Sequence, residues 1–218
     1  MTSGKSNSKE GNVDEHIASV EAEFLRRDTG KGSFDPTRPS LFQLALNTQW
    51  PMLPEEIKRL HRGQRTDRFS GVANVTRGTS PAAIFLGWCF RFPPAGQNIP
   101  VTITKIRTRR GELWVRNFDG KVLKSSCVPS TVANHYIERF PGFSFELELT
   151  AEDRCLCLSV IRGWIFGLRL PRLLLPQSRI KEYVVGGLFR FDVALAAPLG
   201  VGLLVHYRGY LEPAGDTG

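Results

Sequence analysis

From residue 72 onward, apolar and polar positions alternate with a period of two, the spacing of a half-buried β-strand. The alternation predicts strands over 72–77, 101–109, 111–118, 121–128, 143–149, 155–164, 180–185, 188–196 and 203–210. In 143–149, Phe143, Phe145, Leu147 and Leu149 alternate with Ser144, Glu146 and Glu148. Arg110-Gly111, Asp119-Gly120, Glu152-Asp153 and Gly186-Gly187 separate runs as tight-turn signals, and tight turns join antiparallel neighbours. Eight to ten such strands predict a mainly β fold: one strongly curved antiparallel sheet, or an 8–10-stranded barrel.

Residues before 72 follow a helical period instead. Ile17, Val20, Phe24 and Leu25 fall on one face of a possible helix over 12–27. Gly30, Gly32, Pro36 and Pro39 then mark a linker. Ser40 is placed to cap a short helix over 41–46. Pro54-Glu55-Glu56 opens a second, with Pro suited to its start and the acids to the positive end of its dipole, and Gly63 ends it. The expected organisation is a flexible segment over 1–39, one β-rich domain over 40–212, and a short tail over 213–218.

Two apolar segments break the strand pattern. In 80–92, SPAAIFLGWCFRF, Ser80 and Pro81 start a helix that is apolar nearly all round, so it should be buried or lie against an apolar surface. In 163–176, GWIFGLRLPRLLLP, glycines and prolines interrupt regular structure, and two arginines stand among apolar neighbours. Phe85, Trp88, Trp164, Phe166, Arg169 and Arg172 are the candidates for a lid or a membrane contact.

Composition narrows the classes. The 218 residues are 41% apolar, too rich for a disordered chain, and four cysteines are too few for a disulfide-dense scaffold. The opening MTSGKSNSKEG has no apolar stretch behind it, so no secretory signal is expected. The uncharged run 193–205 is broken by Pro198 and two glycines, and no uncharged run reaches the ~20 residues of a spanning helix. A cytoplasmic protein follows, with reduced cysteines and a possible peripheral place at the inner membrane surface. The net charge of +8 first suggests a polyanion, yet residues 71–218 hold +7 of it, mostly as scattered Arg. A nucleic-acid site would show a basic stripe with exposed aromatics, so no nucleic-acid partner is expected. The one basic cluster, Lys105, Arg107, Arg109 and Arg110, reads as a solvated hairpin tip.

Several short motifs stand in a characteristic order. They are Leu41-Phe42-Gln43, Leu53-Pro54, Leu60-His61, Gly71-Val72-Ala73, Arg77-Gly78 and Trp114-Val115-Arg116-Asn117-Phe118. Glu138-Arg139-Phe140-Pro141-Gly142, Leu170-Pro171, Phe189-Arg190-Phe191-Asp192-Val193 and Tyr207-Arg208-Gly209-Tyr210-Leu211 follow. Together they resemble a bacterial family of domains of unknown function, the one numbered 4166, over about residues 41–211. The chain departs from it at Phe140-Pro141-Gly142, where the family more usually has Phe-Gly-Pro. The resemblance implies no established activity. It does imply a possible oxidoreductase partner, because such domains are sometimes fused behind saccharopine-dehydrogenase-like domains.

Candidate chemistry is sparse. No Gly-x-Gly-x-x-Gly follows a strand, and no phosphate-cradling loop or Gly-x-Ser-x-Gly elbow is present, so no cofactor is expected. Cys155 and Cys157 share a strand face without further ligands, which reads as two small buried residues and no metal site. His61 reads as a complement to a helix dipole, while His135 and His206 stand singly. Trp114, Arg116 and Phe118 share one strand face, and the aromatics should carry Arg116 inward, where it needs a carboxylate or an anionic ligand. Glu138 is its expected partner, either in an internal ion pair or in a pocket wall. Phe189 and Phe191 share another inward face, with Arg190 and Asp192 opposite, and Tyr207 completes the candidate lining.

The leading expectation is non-catalytic binding of an apolar or amphiphilic anionic small molecule inside the curved sheet, with Arg116 at its head. An accessory module for a separate oxidoreductase is the first alternative. An enzyme using Arg116, Glu138 and Asp192 as acid–base groups is the second.

Overall fold

The computed structural model describes residue 35 and residues 37–109 and 111–215. The expected helix over 12–27 lies outside them. Helix α1, Leu41–Leu46, starts at Ser40, whose hydroxyl accepts from the Gln43 amide while the Gln43 side chain accepts from the Ser40 amide. That reciprocal pair satisfies two donors that a helix start otherwise leaves open. A 3₁₀ turn, Asn47–Met52, leads to α2, Glu55–Arg62, which begins after Pro54 and ends at Gly63 with φ 70°.

Eleven strands follow: β1 Thr66–Arg77, β2 Gly96–Arg107, β3 Glu112–Phe118, β4 Lys121–Pro129, β5 His135–Phe140 and β6 Phe143–Glu152. The others are β7 Cys155–Ile165, β8 Leu168–Arg169, β9 Gln177–Val185, β10 Leu188–Ala197 and β11 Gly202–Pro213. Helix α3, Pro81–Cys89, stands between β1 and β2. All pairings are antiparallel, in the order β6-β5-β4-β3-β2-β1-β11-β10-β9-β7, and β6 pairs β7 to close a ten-stranded barrel. The barrel is narrowest in pairing at β7–β9, where only Leu156 to Leu158 face Ile180 to Glu182. The short strand β8 and a 3₁₀ turn at Arg172–Leu174 occupy the chain beside that seam.

Strand β5 was not among the strands expected from alternation. Its inward positions are Tyr136, Glu138 and Phe140, and the charge in the middle hides the period. β1 and β2 begin earlier than expected for the same reason, because their first residues are polar. The β1–β11 pair is unusually close. A Cβ on Gly209 would stand 2.0 Å from the Val72 carbonyl oxygen, and one on Gly71 would stand 2.0 Å from that of Tyr210. Glycine at these two strand positions is a packing requirement.

The strand directions give the barrel two distinct ends. One end carries the β2–β3, β4–β5, β6–β7 and β9–β10 turns together with α1 and α2. There Leu41, Phe42, Leu46, Ile57 and Leu60 are buried in the same core as the inward residues of the strands. The other end carries α3, the β3–β4 and β5–β6 turns, β8 and the β10–β11 turn. Eight strands enclose an interior that side chains can just fill, and diameter grows with strand number. Ten strands leave space, which α1 and α2 plug at one end and nothing in the described chain fills at the other.

Candidate functional site

The barrel interior holds charge at two levels. The lower level ties the helical plug to the wall. Lys105, an inward residue of β2, is buried and donates to the Leu60 carbonyl of α2 at 2.7 Å and to Glu112 of β3 at 3.1 Å. Its ammonium lies 4.5 Å from the Trp114 ring centroid, and the Trp114 indole N–H donates to the same Glu112 oxygen at 3.1 Å. His61, fully buried at the end of α2, faces Glu182 of β9 at 2.6 Å between Nε2 and Oε2. Its ring packs on Phe42 with centroids 3.8 Å apart. Two sequence expectations change here. His61 does stand in the last turn of α2, where a complement to the dipole was expected, but it is buried and faces Glu182 inside the barrel. Lys105 is not part of a solvated hairpin tip, because it shares the parity of the buried Val101 and Ile103.

The upper level sits two inward positions along β3 from Glu112, beyond Trp114. Arg116 donates through Nη2 to Glu138 Oε1 at 2.9 Å and through Nη1 to Ser125 Oγ at 2.8 Å. The Ser125 hydroxyl donates to the same carboxylate oxygen at 2.6 Å. The guanidinium also covers the Trp114 ring at 4.8 Å, so Trp114 separates the two levels. Burial alone would lower the Arg116 pKa. The neighbouring Glu138 carboxylate, helped by Tyr207, Cys127 and Tyr136, outweighs it and holds the guanidinium above its ordinary value. Burial pushes the Tyr207 hydroxyl up to about 12 against the pull of Arg116, and burial first and Glu138 second raise Tyr136 and Cys127 well above their usual ranges. All three are uncharged near neutral pH.

Above this level lies a cavity of about 410 Å³. Phe140, Phe143, Phe145, Leu147, Val160, Ile180, Val193 and Leu195 form its walls, Arg116, Glu138 and Tyr207 are the polar groups at its inner side, Lys124 and Arg91 also line it, and Phe90 and Phe92 after α3 reach its rim. The volume falls toward the lower end of the ~300–1,000 Å³ typical of small-molecule pockets, and an apolar wall with a few convergent polar groups is their usual make-up. A separate groove of about 620 Å³ at the plugged end runs between α2 and the β9–β10 turn and has a mixed wall, with Glu55, Glu56, Arg59 and Arg62 facing Phe69, Leu188, Phe189 and Leu211.

The candidates therefore separate. Arg116, Glu138 and Tyr207 meet at the cavity. Trp114 lies beneath them against Phe42 and His61, and Phe118 packs edge-on to Tyr207 with centroids 5.6 Å apart, outside the cavity lining. Phe191 packs edge-on to Tyr207 from another side at 6.2 Å, while Phe189 lines the groove at the plugged end. Asp192 is on the outer face of β10, 2.9 Å from His206, so it does not join Arg116 and Glu138. Cys155 and Cys157 are half-buried on the outer face of β7, whereas two buried residues were expected there. No group of three or more potential metal ligands is found among the described residues. The residues missed from sequence, Ser125, Glu112, Lys105, His61 and Glu182, are polar groups at inward positions. Strand parity would have found the three on β2, β3 and β4; nothing local marks His61 as inward.

The two interrupting segments flank the open end. Ala83 and Gly87 turn the buried side of α3 to the barrel, while Ile84, Phe85 and Trp88 face outward. Of the two expectations for this helix, burial all round does not hold, since only one of its faces is covered. Arg77 passes beneath Gly87, where a Cβ would stand 1.7 Å from the guanidinium, and donates to the Phe92 and Pro93 carbonyls at 3.1 and 3.0 Å. Across the mouth, Phe90 packs on Phe143 with centroids 4.6 Å apart, and Phe143 lies 6.4 Å from Phe166. Trp164 is half-buried near the end of β7, while Arg169 and Arg172 are exposed. No helix among the described residues is long and apolar enough to cross a membrane.

A family model described as a domain of unknown function, DUF4166, matches residues 53–211, a span that takes in α2, α3 and the barrel almost to its last residues. No curated protein and no solved structure matches the chain.

Proposed function

We propose that this chain, which belongs to the DUF4166 family of domains of unknown function, holds a small amphiphilic molecule in the unplugged half of its barrel. The observation that carries this reading is the 410 Å³ cavity with an aromatic and aliphatic wall and one cluster of polar groups at its inner side. The apolar part of the ligand lies among Phe140, Phe143, Phe145, Val193 and Leu195, and its head lies at Arg116, Glu138 and Tyr207. An anionic head was the expectation from sequence. The Arg116 charge is already met by Glu138 at 2.9 Å, and an anion would have to compete with that carboxylate at close range. An uncharged head that both donates and accepts, an alcohol or a primary amide, matches the inner cluster better, while an anionic head would have to be met by Arg91 or Lys124 elsewhere in the lining. The acid–base alternative lacks support, since its third group, Asp192, faces away.

The test is displacement of the uncharged fluorophore N-phenyl-naphthylamine from the full chain by decanol and by decanoate near neutral pH. Fluorophore uptake, abolished in Leu195→Trp with the fold intact by circular dichroism, is the expected result. Decanol should displace it at least tenfold more effectively than decanoate. Failure of wild-type protein to take up fluorophore or decanol sinks the binding reading. Stronger displacement by decanoate overturns the uncharged head alone.

A further inference from the structure

The rim of the cavity carries a surface that ligand binding does not use. Ile84, Phe85 and Trp88 project from one face of α3 and are 58%, 62% and 77% exposed. Phe166, Leu168 and Leu173 project from the segment across the mouth at 83%, 77% and 69%. The side chains of Phe90 and Phe143 bridge the two groups, as does the Phe166 amide, which donates to the Gly142 carbonyl at 2.9 Å. An apolar surface of this kind at one end of a molecule marks a contact with something apolar. Its charge says which. The exposed Arg91, Arg169 and Arg172 stand within these two segments, and neither segment contains an acidic residue. Of the turns at this end only β3–β4 has a carboxylate, Asp119, whereas the plugged end mixes carboxylates such as Glu55, Glu56 and Glu152 with basic residues such as Arg59, Arg62 and Arg154.

We infer that the open end of the barrel docks on an anionic lipid bilayer, with the aromatic and aliphatic side chains of α3 and the 166–173 segment in the interface and the arginines on lipid head groups. Aromatic and aliphatic side chains enter the boundary between head groups and acyl chains, and each basic residue near an anionic leaflet adds attraction that salt screens. The exposed apolar rim, with arginines and no acidic residue in its two segments, orients the barrel mouth-down. In that pose the cavity opens toward the lipid. The docking surface stands on the exposed residues and their charge, independently of what the cavity holds.

The experiment is flotation of the full chain with vesicles of phosphatidylcholine alone or mixed with phosphatidylglycerol, at low and high salt. Binding to the mixed vesicles, weak binding to phosphatidylcholine, and release by salt are expected. The double variant Trp88→Asp, Phe166→Asp should bind at least tenfold less while keeping its circular dichroism spectrum. Both side chains are exposed, so the fold does not depend on them. N-phenyl-naphthylamine uptake measured without vesicles should be unchanged in the variant, which separates failure of docking from failure of the cavity reading. No binding to mixed vesicles, undiminished binding of the variant, or a stable dimer in light scattering that the variant abolishes would each overturn the proposal.

Discussion

Lys105→Met tests whether the plugged half of the barrel is held by buried charge. The ammonium is 2% exposed and has two oxygen partners, the Leu60 carbonyl at 2.7 Å and Glu112 Oε2 at 3.1 Å. Methionine preserves most of the volume and the contact with Trp114 but removes both interactions. Glu112, also 2% exposed, is then left with the indole N–H of Trp114, and its other oxygen is buried with no hydrogen-bond partner among the described residues. Removing one member of a buried pair costs about 3–5 kcal/mol. That is a large share of the ~5–15 kcal/mol that stabilises a typical domain. Urea unfolding followed by circular dichroism measures it, with the slope checked against wild type. The double variant Lys105→Met, Glu112→Gln, which removes the orphaned charge as well, should recover part of that loss. A cost below about 1 kcal/mol in the single variant would show that this level of the barrel is wet and refute the reasoning.

Two further expectations concern the wall. Gly209→Ala places a Cβ 2.0 Å from the Val72 carbonyl oxygen, so β1 and β11 must part. A loss of about 2–4 kcal/mol is expected, read as a fall in Tm of about 2–4 °C per kcal/mol, and an unchanged Tm would show that the strands have slack. On the outer face, Glu146 accepts from Ser130 at 2.8 Å, Arg162 at 2.8 Å and His135 at 3.1 Å. Burial pushes its carboxyl up, but these hydrogen bonds outweigh burial and hold it below its ordinary value. Its stabilisation is therefore full above the unfolded value of about 4.3 and is lost as pH falls through the folded value. Glu146→Gln should flatten that part of the acid-unfolding profile and cost about 1.5–3 kcal/mol at neutral pH. A profile as steep as wild type's would count against it.

What could be read in the sequence follows from how barrels are written. Strands whose inward residues are all apolar, such as β6 and β10, announce themselves by alternation, and so do turns such as Asp119-Gly120. Arg116 and Glu138 were legible as partners because Trp114 and Phe118 fix the parity of β3. The closure of the sheet was not, because β6–β7 and β7–β9 pairing reads like any other neighbour pairing along the chain. The plug was illegible for a different reason. Helix α2 is mostly charged, with two acids and two arginines, and its burial of Ile57, Leu60 and His61 depends on a barrel wide enough to admit one face. Local pattern carries no measure of that width.

The placement of polar groups inside the barrel gives the two halves different work. A wall of ten strands leaves interior space that its own side chains do not fill, and a plug, water or a ligand takes it up. The plug half is built from pairs that use up nearly all their charge on each other and on α2: Lys105 with Glu112 and Leu60, and His61 with Glu182. These polar contacts fix where a helix seats, which apolar packing alone would leave free to slide. At the upper level, Arg116 and Glu138 are likewise paired, yet Tyr207 beside them has its hydroxyl kept protonated by burial, and the wall above is apolar to the rim. A cavity that needed only to be filled could hold larger side chains at Val160, Val193 and Leu195, as the plugged half does with Phe42 and Trp114. The open half instead combines smaller wall residues, a neutralised polar cluster and a rim of exposed aromatics on an arginine-bearing edge. Under the proposed binding role, the polar cluster would set a head group, the smaller wall residues would leave room for its apolar remainder, and the rim would set the surface from which such a molecule enters.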